Sequence, residues 1–209
     1  RPPRSTLFPY TTLFRSALKG FLDYDKLDKY YCDDGELPGH IDMTVSDALD
    51  LSAGSLGHGL SVGAGMALAM RIDAIENRIV VIMGDGEINE GSIWEAAMFI
   101  TRENLKNITI FIDCNKFQGY DETSKILTYD RNKNMWLALG YDVLEVDGHN
   151  FYEIETAFNN KSERPIVILA NTIKGKGVSY MENKLEWHYK SPSLEELRKG
   201  LEELEENNL

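Results

Sequence analysis

Two oxygen-bearing side chains stand just after two apolar runs of the sequence. Asp85 follows Ile79–Met83 within a Gly-Asp-Gly turn, and Asn115 comes shortly after Ile108–Ile112. Twenty-eight residues separate Gly86 from Asn115, which is enough for one crossover helix and a return strand. Because the carboxyl ends of neighbouring parallel strands share one edge, the two side chains can meet there. A carboxylate and an amide oxygen at one sheet edge suit Mg²⁺, which takes few protein ligands.

Two other interpretations of this acidic stretch compete with the metal site. An EF-hand loop needs glycine at the sixth position from Asp85 and glutamate at the twelfth, whereas Glu90 and Ala96 stand there. A tight turn whose acid caps the following helix is the simpler alternative, and the sequence alone leaves it open. The chain has neither an H-E-x-x-H nor a Walker motif, which argues against a zinc protease and a P-loop enzyme.

Composition narrows the class of protein. The 209 residues are enough to bury one sizeable α/β core. The net charge is −12, so nucleic-acid binding is not expected. The two cysteines, Cys32 and Cys114, form no CxxC pattern, and we therefore expect a reduced protein in the cytoplasm. No apolar run approaches the roughly 20 residues of a transmembrane helix.

Alternating strand and helix patterns predict the elements that position these residues. Three largely apolar runs predict buried strands at 79–83, 108–112 and 166–170, and a further strand is predicted at 141–146. Helices are predicted over 17–31, after the glycine-rich turn at 54–59, after Gly91, over 131–139, from a cap at Asn150 and from a cap at Ser193. These units predict an α/β fold, with a doubly wound, mostly parallel sheet and helices on both faces.

The domain boundaries follow from a change in composition. Residues 1–16 repeat Thr-Leu-Phe, hold three of the six prolines and contain no acid. We predict a foreign or poorly ordered leader there and one α/β domain over 17–209. The small residues of the helix after residue 59 fit close packing on the sheet and a subunit contact equally well.

Six motifs, in this order along the chain, resemble the N-terminal, pyrophosphate-binding domain of transketolase. They are Pro38-Gly39-His40, Gly54-Ser55-Leu56-Gly57-His58-Gly59, Gly84-Asp85-Gly86-Glu87-Ile88-Asn89-Glu90-Gly91, Asp113-Cys114-Asn115-Lys116, Thr172-Ile173-Lys174-Gly175-Lys176-Gly177 and Trp187-His188. The resemblance covers residues 17–192 and implies the thiamine diphosphate-binding fold.

The resemblance also implies how a cofactor is held. Asp85, Asn115 and the main-chain carbonyl of Phe117 match the ligands of a Mg²⁺ ion that bridges the diphosphate of thiamine diphosphate. The remaining cofactor-binding positions that it implies are Gly54, Leu56, Gly57, Gly86, Glu87 and His188. In particular, Gly54 faces the aminopyrimidine and Leu56 packs on the thiazolium.

The resemblance also implies roles in the reaction for His40, His188 and Glu90. His40 and His188 match histidines that line the reaction centre, and Glu90 matches an acid at the dimer interface, through which two active sites communicate. His58 stands where the family usually has glutamine, so its role stays open.

The implied activity is transfer of a two-carbon ketol unit from a ketose to an aldose, with sugar phosphates as substrates. The family's pyrimidine-binding domain, whose glutamate activates the cofactor, has no match after residue 192. We therefore expect the N-terminal subunit of a split transketolase, self-associating into a heterotetramer and inactive without its C-terminal partner. The alternatives are the α subunit of a 2-oxo acid dehydrogenase, a deoxyxylulose-phosphate synthase relative and a non-catalytic assembly subunit.

Overall fold

The structure is a computed structural model, and it describes residues 17–30, 32–47, 49, 51–127 and 132–206. The leader predicted at 1–16 lies outside the described residues. Within these ranges, no helix has both the length and the apolar character needed to cross a membrane.

The described residues contain four strands, which form one parallel sheet: β1 (Ile79–Gly84), β2 (Ile108–Cys114), β3 (Asp142–Asp147) and β4 (Ile166–Asn171). Their order across the sheet is β1-β2-β4-β3. The register pairs Gly84 with Asp113 and Cys114 with Asn171, so the carboxyl ends of β1, β2 and β4 lie level. Asp85 and Asn115 follow these ends on neighbouring strands, as predicted.

The same described part of the chain contains six α-helices: α1 (His58–Ile72) before β1, α2 (Gly91–Arg102), α3 (Thr123–Ile126), α4 (Asn132–Ala138) and α5 (Phe151–Phe158) between strands, and α6 (Leu194–Glu206) after β4. Short 3₁₀ helices lie at Tyr24–Lys29, Met43–Val45, Glu87–Asn89 and Leu185–His188. Two predicted caps are confirmed. The Asn150 side chain accepts from the first N–H groups of α5, and the Ser193 hydroxyl accepts from Glu196 N–H in α6.

Helices lie on both faces of the sheet, as the sequence predicts. Residues of α1, α2 and α4 pack in one core with the inward side chains of β1 and β2 and with Val167 of β4. On the opposite face, Ala157 of α5 packs with Val146, Ile166 and Ile168. The doubly wound α/β fold class is therefore confirmed.

Close packing on the sheet explains part of the small-residue pattern of α1. A Cβ added at Gly63 would stand 2.6 Å from the Cγ2 of Val81, so only glycine lets the helix approach β1 this closely. Gly65 and Ala69 lie on the exposed side of the helix. The residues Gly59–Gly63 also spell G-x-S-x-G, but Ser61 lies within α1 and not on a strand-to-helix elbow, so the serine is not a hydrolase nucleophile of that type.

The helix predicted over 17–31 is wrong for most of its length. A 3₁₀ helix occupies Tyr24–Lys29, and none of its residues is buried. The segment is dense in aspartate, which favours local side-chain bonds over α-helix. Its apolar residues Ala17 and Leu22 instead join Leu37, Ile41 and Leu49 in a separate small core.

An aromatic cluster closes the larger core beside α4. The rings of Trp94 and Trp136 lie 5.0 Å apart, and Tyr141 meets Trp136 edge-on at 5.0 Å. Tyr141 is fully buried, and its hydroxyl donates to the carbonyl of Ala97 in α2 at 2.9 Å. This bond ties α2 to the residue that precedes β3.

The variant Tyr141→Phe should lower the free energy of unfolding by about 1–2 kcal/mol, because it removes a buried hydrogen bond between Tyr141 and the Ala97 carbonyl. Urea unfolding followed by circular dichroism measures this change. Tyr152→Phe is the matched control, since Tyr152 is 76% exposed, and its stability should stay within about 0.5 kcal/mol of wild type. Equal stability of Tyr141→Phe and wild type would contradict the assigned contribution of this bond.

Candidate functional site

Asp85 is a buried carboxylate at the carboxyl edge of the sheet. It follows β1 directly and is only 2% exposed. Its Oδ2 accepts two hydrogen bonds, from the N–H of Lys116 at 2.7 Å and from the hydroxyl of Thr123 at 3.2 Å. Its own N–H donates to the carbonyl of Asp113 at 3.1 Å. These contacts join the end of β1 to the loop that follows β2.

The carboxylate of Asp85 lies in a poorly hydrated environment. Burial raises the pKa of its carboxyl to about 6, and the nearby charge of Asp113 acts in the same direction. The bonds from Lys116 and Thr123 lower the pKa, because they stabilise the ionised form. A cation beside this carboxylate would supply the stabilisation that water gives to an exposed one.

Asn115 and Phe117 lie next to Asp85 because the chain reverses sharply between them. Lys116 has a φ of 72°, in the left-handed region that residues with long side chains rarely adopt. The Asn115 Oδ1 accepts from the N–H of Phe117 at 3.0 Å, and its Nδ2 donates to the Oδ2 of Asp113 at 3.3 Å. These bonds fix the amide of Asn115 and the backbone of Phe117 at the strand end.

The donor atoms available at this corner are hard oxygens: the Asp85 carboxylate, the Asn115 amide oxygen and the Phe117 carbonyl. Within the described ranges, no group of three or more His, Cys, Asp and Glu side chains is placed to hold a metal ion. This set fits Mg²⁺, which keeps water and phosphate ligands, better than Ca²⁺, which needs a fuller protein cage. A Cβ added at Gly84 would meet no atom within 4 Å, so there is open space beside the strand end.

The glycine-rich turn at 54–59 packs against the acidic turn that follows β1. The N–H of Gly57 donates to the Oε1 of Glu87 at 2.9 Å, and the Gly57 carbonyl accepts from the Ser92 hydroxyl at 2.9 Å. Gly57 has a φ of 80°, and a Cβ there would stand 2.6 Å from the Cβ of Glu90. Both the backbone conformation and the space therefore require glycine. Burial raises the pKa of Glu87, and its bond from Gly57 opposes that effect.

The rest of this turn combines a histidine with an exposed apolar side chain. Gly54 lies against the ring of His40, where a Cβ would stand 3.0 Å from the His40 Cδ2. Leu56 is 56% exposed although it is large and apolar, so it can offer a surface to a ligand's ring. His58 begins α1 and donates from Nδ1 to the Leu56 carbonyl at 3.0 Å.

Lys174 lies beside the predicted site residues, although the sequence did not single it out. Its Nζ donates to the Nδ1 of His188 at 3.4 Å. Burial lowers the pKa of Lys174, whereas the charges of Asp113 and Asp85 raise it, so its ammonium group lies in the field of both carboxylates. Burial and the Lys174 charge lower the pKa of His188. The motif at 172–177 indicates that this loop belongs to the site. It holds two lysines, and the sequence does not show which of them faces the other site residues.

The predicted site residues form two groups that share the turn from Gly84 to Gly91. The first group, at the ends of β1 and β2, contains Asp85, Gly86, Asn115, Phe117 and, through Lys174, His188. The second group, at the glycine turn, contains His40, Gly54, Leu56, Gly57, Glu87 and Glu90. His40 and His188, which were both predicted at the reaction centre, fall in different groups.

Known proteins share this arrangement of sequence and fold. The family described as transketolase, thiamine diphosphate binding domain, matches residues 4–203. The 6-deoxy-6-sulfo-D-fructose transketolase subunit SqwG of Clostridium sp. (strain MSTE9) is 41% identical over 192 residues, which are 90% of this chain and 70% of that protein. A protein of Phocaeicola vulgatus, named as one subunit of apulose-4-phosphate transketolase, is 37% identical over 94% of this chain and 70% of its own length.

A solved structure agrees with these sequence relatives. Transketolase from Campylobacter jejuni matches with a TM-score of 0.79 at 26% identity, and the match covers 85% of this chain and 29% of that one. The chain therefore spans most of the two relatives named as subunits, but under a third of the Campylobacter jejuni transketolase chain. The family match covers most of the described residues and includes both groups of the candidate site. The chain belongs to the transketolase family, with its thiamine diphosphate binding domain.

Proposed function

We propose that this chain is the N-terminal subunit of a split transketolase, which moves a two-carbon ketol unit from a ketose phosphate to an aldose phosphate. The observation that carries the proposal is the buried corner in which Asp85 is bonded to the loop bearing Asn115 and Phe117. The relatives named as transketolase subunits support the same function.

The first group of residues holds the diphosphate end of the cofactor. The Asp85 carboxylate, the Asn115 amide oxygen and the Phe117 carbonyl would hold Mg²⁺, an ion that usually keeps water and phosphate among its ligands. The backbone of Gly86, next to Asp85, contacts the diphosphate. The partly buried ammonium of Lys174 adds positive charge on the side of His188. When bound, thiamine diphosphate supplies the carbanion and electron sink for breaking and remaking a carbon–carbon bond next to a carbonyl.

The second group holds the rings of the cofactor and faces the sugar. Gly54 and Gly57 shape the turn that would carry the rings, because without side chains they lie closely against His40 and Glu90. Glu87 keeps the turn in place through its bond from Gly57. The exposed side chain of Leu56 packs on the thiazolium. His40 and His188 line the reaction centre, where they face the sugar.

A partner chain completes the site. The acid that activates the cofactor comes from a C-terminal subunit with the pyrimidine-binding domain, and the exposed Glu90 meets a second copy of this chain in a heterotetramer. The Clostridium and Phocaeicola relatives are both named as subunits, which supports assembly with a partner. A cytoplasmic location stays a prediction from the cysteine pattern.

Asp85→Ala should weaken Mg²⁺-dependent binding of thiamine diphosphate by more than about 100-fold, because the only carboxylate among the proposed ligands is lost. Titration calorimetry with and without a chelator measures the metal-dependent part. All the metal's proposed protein ligands come from this chain, but a partner completes the cofactor site, so the titration is made on the chain alone and on its complex with a C-terminal transketolase subunit.

The matched control for this variant is Asp147→Ala, because Asp147 also ends a strand at the same sheet edge but is exposed. Its cofactor affinity should equal that of wild type. Unchanged affinity of Asp85→Ala would remove Asp85 from the metal site.

The chain alone, with thiamine diphosphate and Mg²⁺, should transfer no ketol unit, and adding a C-terminal transketolase subunit should restore transfer between a ketose phosphate and an aldose phosphate. The reason is that the activating acid lies in the partner. A coupled assay of aldose release measures the activity.

The same assay separates a catalytic subunit from an assembly subunit. The complex containing Asp85→Ala should be inactive if this chain binds the cofactor. Activity of the chain by itself would contradict the split-subunit proposal, and full activity of the Asp85→Ala complex would favour a purely structural role.

A further inference from the structure

Thr123 is a buried threonine whose hydroxyl bonds to a carboxylate far away in the sequence. It is 2% exposed, and its Oγ1 donates to the Oδ2 of Asp85 at 3.2 Å across 38 positions of the chain. Thr123 is the first residue of α3, well outside the motifs on which the resemblance to transketolase rests. Neither the resemblance nor the donor set of the metal corner gives this residue a role.

A compact hairpin brings Thr123 back to the strand end. The N–H of Thr123 donates to the carbonyl of Lys116 at 2.9 Å, and Gln118 N–H donates to the carbonyl of Asp121 at 2.9 Å. Between these bonds, Phe117 and Glu122 form an antiparallel bridge. The hairpin therefore begins and ends at the same carboxylate, because Lys116 and Thr123 both donate to Asp85.

Two donors on one oxygen restrict how the carboxylate can turn. The terminal torsion of an aspartate is broad, so a single bond leaves the plane of the group poorly fixed. Here the N–H of Lys116 and the hydroxyl of Thr123 reach the same Oδ2 from opposite ends of the hairpin. Bonds to an ionised acceptor are also stronger than neutral ones.

Orientation matters here because of the metal proposed for this corner. Mg²⁺ demands near-ideal octahedral geometry, and residues that orient its ligands typically change its affinity by 10–100-fold. The backbone donor at Lys116 cannot be removed by changing a side chain. The hydroxyl of Thr123 can be removed, and the bond of its N–H to Lys116 would remain.

We propose that Thr123 is a positioning residue, whose hydroxyl fixes the plane of the Asp85 carboxylate for binding a divalent cation. This inference rests on the proposed metal site. A merely structural threonine would stabilise the hairpin and leave metal affinity unchanged. A positioning threonine changes the affinity for the cation in protein that is still folded.

The test uses the full chain, with Mn²⁺ as the probe for Mg²⁺ in the presence of thiamine diphosphate. Bound and free Mn²⁺ are distinguished by electron paramagnetic resonance, and thermal unfolding of each variant is recorded beside it. Thr123→Val, which keeps the shape and removes the hydroxyl, should weaken Mn²⁺ binding about 10-fold. Thr123→Ser, which restores the hydroxyl, should bind within about twofold of wild type.

Tyr141→Phe is the control for lost stability, because it also removes a buried hydroxyl but lies in the core beside α4. It should lower the unfolding temperature and leave Mn²⁺ affinity unchanged. Should Thr123→Val not fold, Thr123→Ala carries the same comparison, with the same expected loss of affinity.

The outcomes separate this inference from the proposed function. Wild-type affinity in folded Thr123→Val or Thr123→Ala, or failure of Thr123→Ser to recover it, would overturn the positioning role alone. If wild-type protein itself binds no Mn²⁺ with thiamine diphosphate, the metal site fails and the inference fails with it.

Discussion

The burial of one carboxylate between two strand ends is the constraint on which the site depends. Parallel pairing of β1 and β2 places Asp85 against the loop that follows β2, where water cannot hydrate it. The loop donates two hydrogen bonds to this carboxylate, from the N–H of Lys116 and the hydroxyl of Thr123, and Lys174 contributes a nearby positive charge. These contacts leave a carboxylate that is ordered, partly compensated and suited to a cation.

The glycine turn before α1 lies against the acidic turn that follows β1, beside this edge. Its position depends on Gly57, whose left-handed backbone and lack of a Cβ let the turn press against Glu87 and Glu90. Farther along the same helix, Gly63 allows close packing on Val81. The two glycines of this segment therefore have different structural roles: Gly57 shapes the turn at the site, and Gly63 allows α1 to pack on the sheet.

The sequence was sufficient to predict the four strands of the sheet and the proximity of the ends of β1 and β2. β1, β2 and β4 begin with largely apolar runs, whereas β3 also carries Asp142 and Glu145. The spacing from Gly86 to Asn115 allows one crossover, which lets Asp85 and Asn115 meet at the sheet edge. The prediction of a helix over 17–31 was wrong because a few apolar residues fitted a helical pattern, whereas the aspartates of this segment disfavour an α-helix. Thr123 and Lys174 were missed because their roles depend on a loop's path and on which lysine turns inward, and neither is periodic in sequence. The ligand roles of all the site residues, including Asp85 and Asn115, stay predictions.

The central claim is that the oxygens of Asp85, Asn115 and Phe117 form one metal site in this chain. Anomalous diffraction from a crystal grown with Mn²⁺ and thiamine diphosphate tests it most directly, because manganese reports its own position. The account predicts a single strong anomalous peak at the ends of β1 and β2, within about 2.0–2.3 Å of those three oxygens. A bound cofactor with the peak elsewhere, or with no ligand from Asp85, would contradict it.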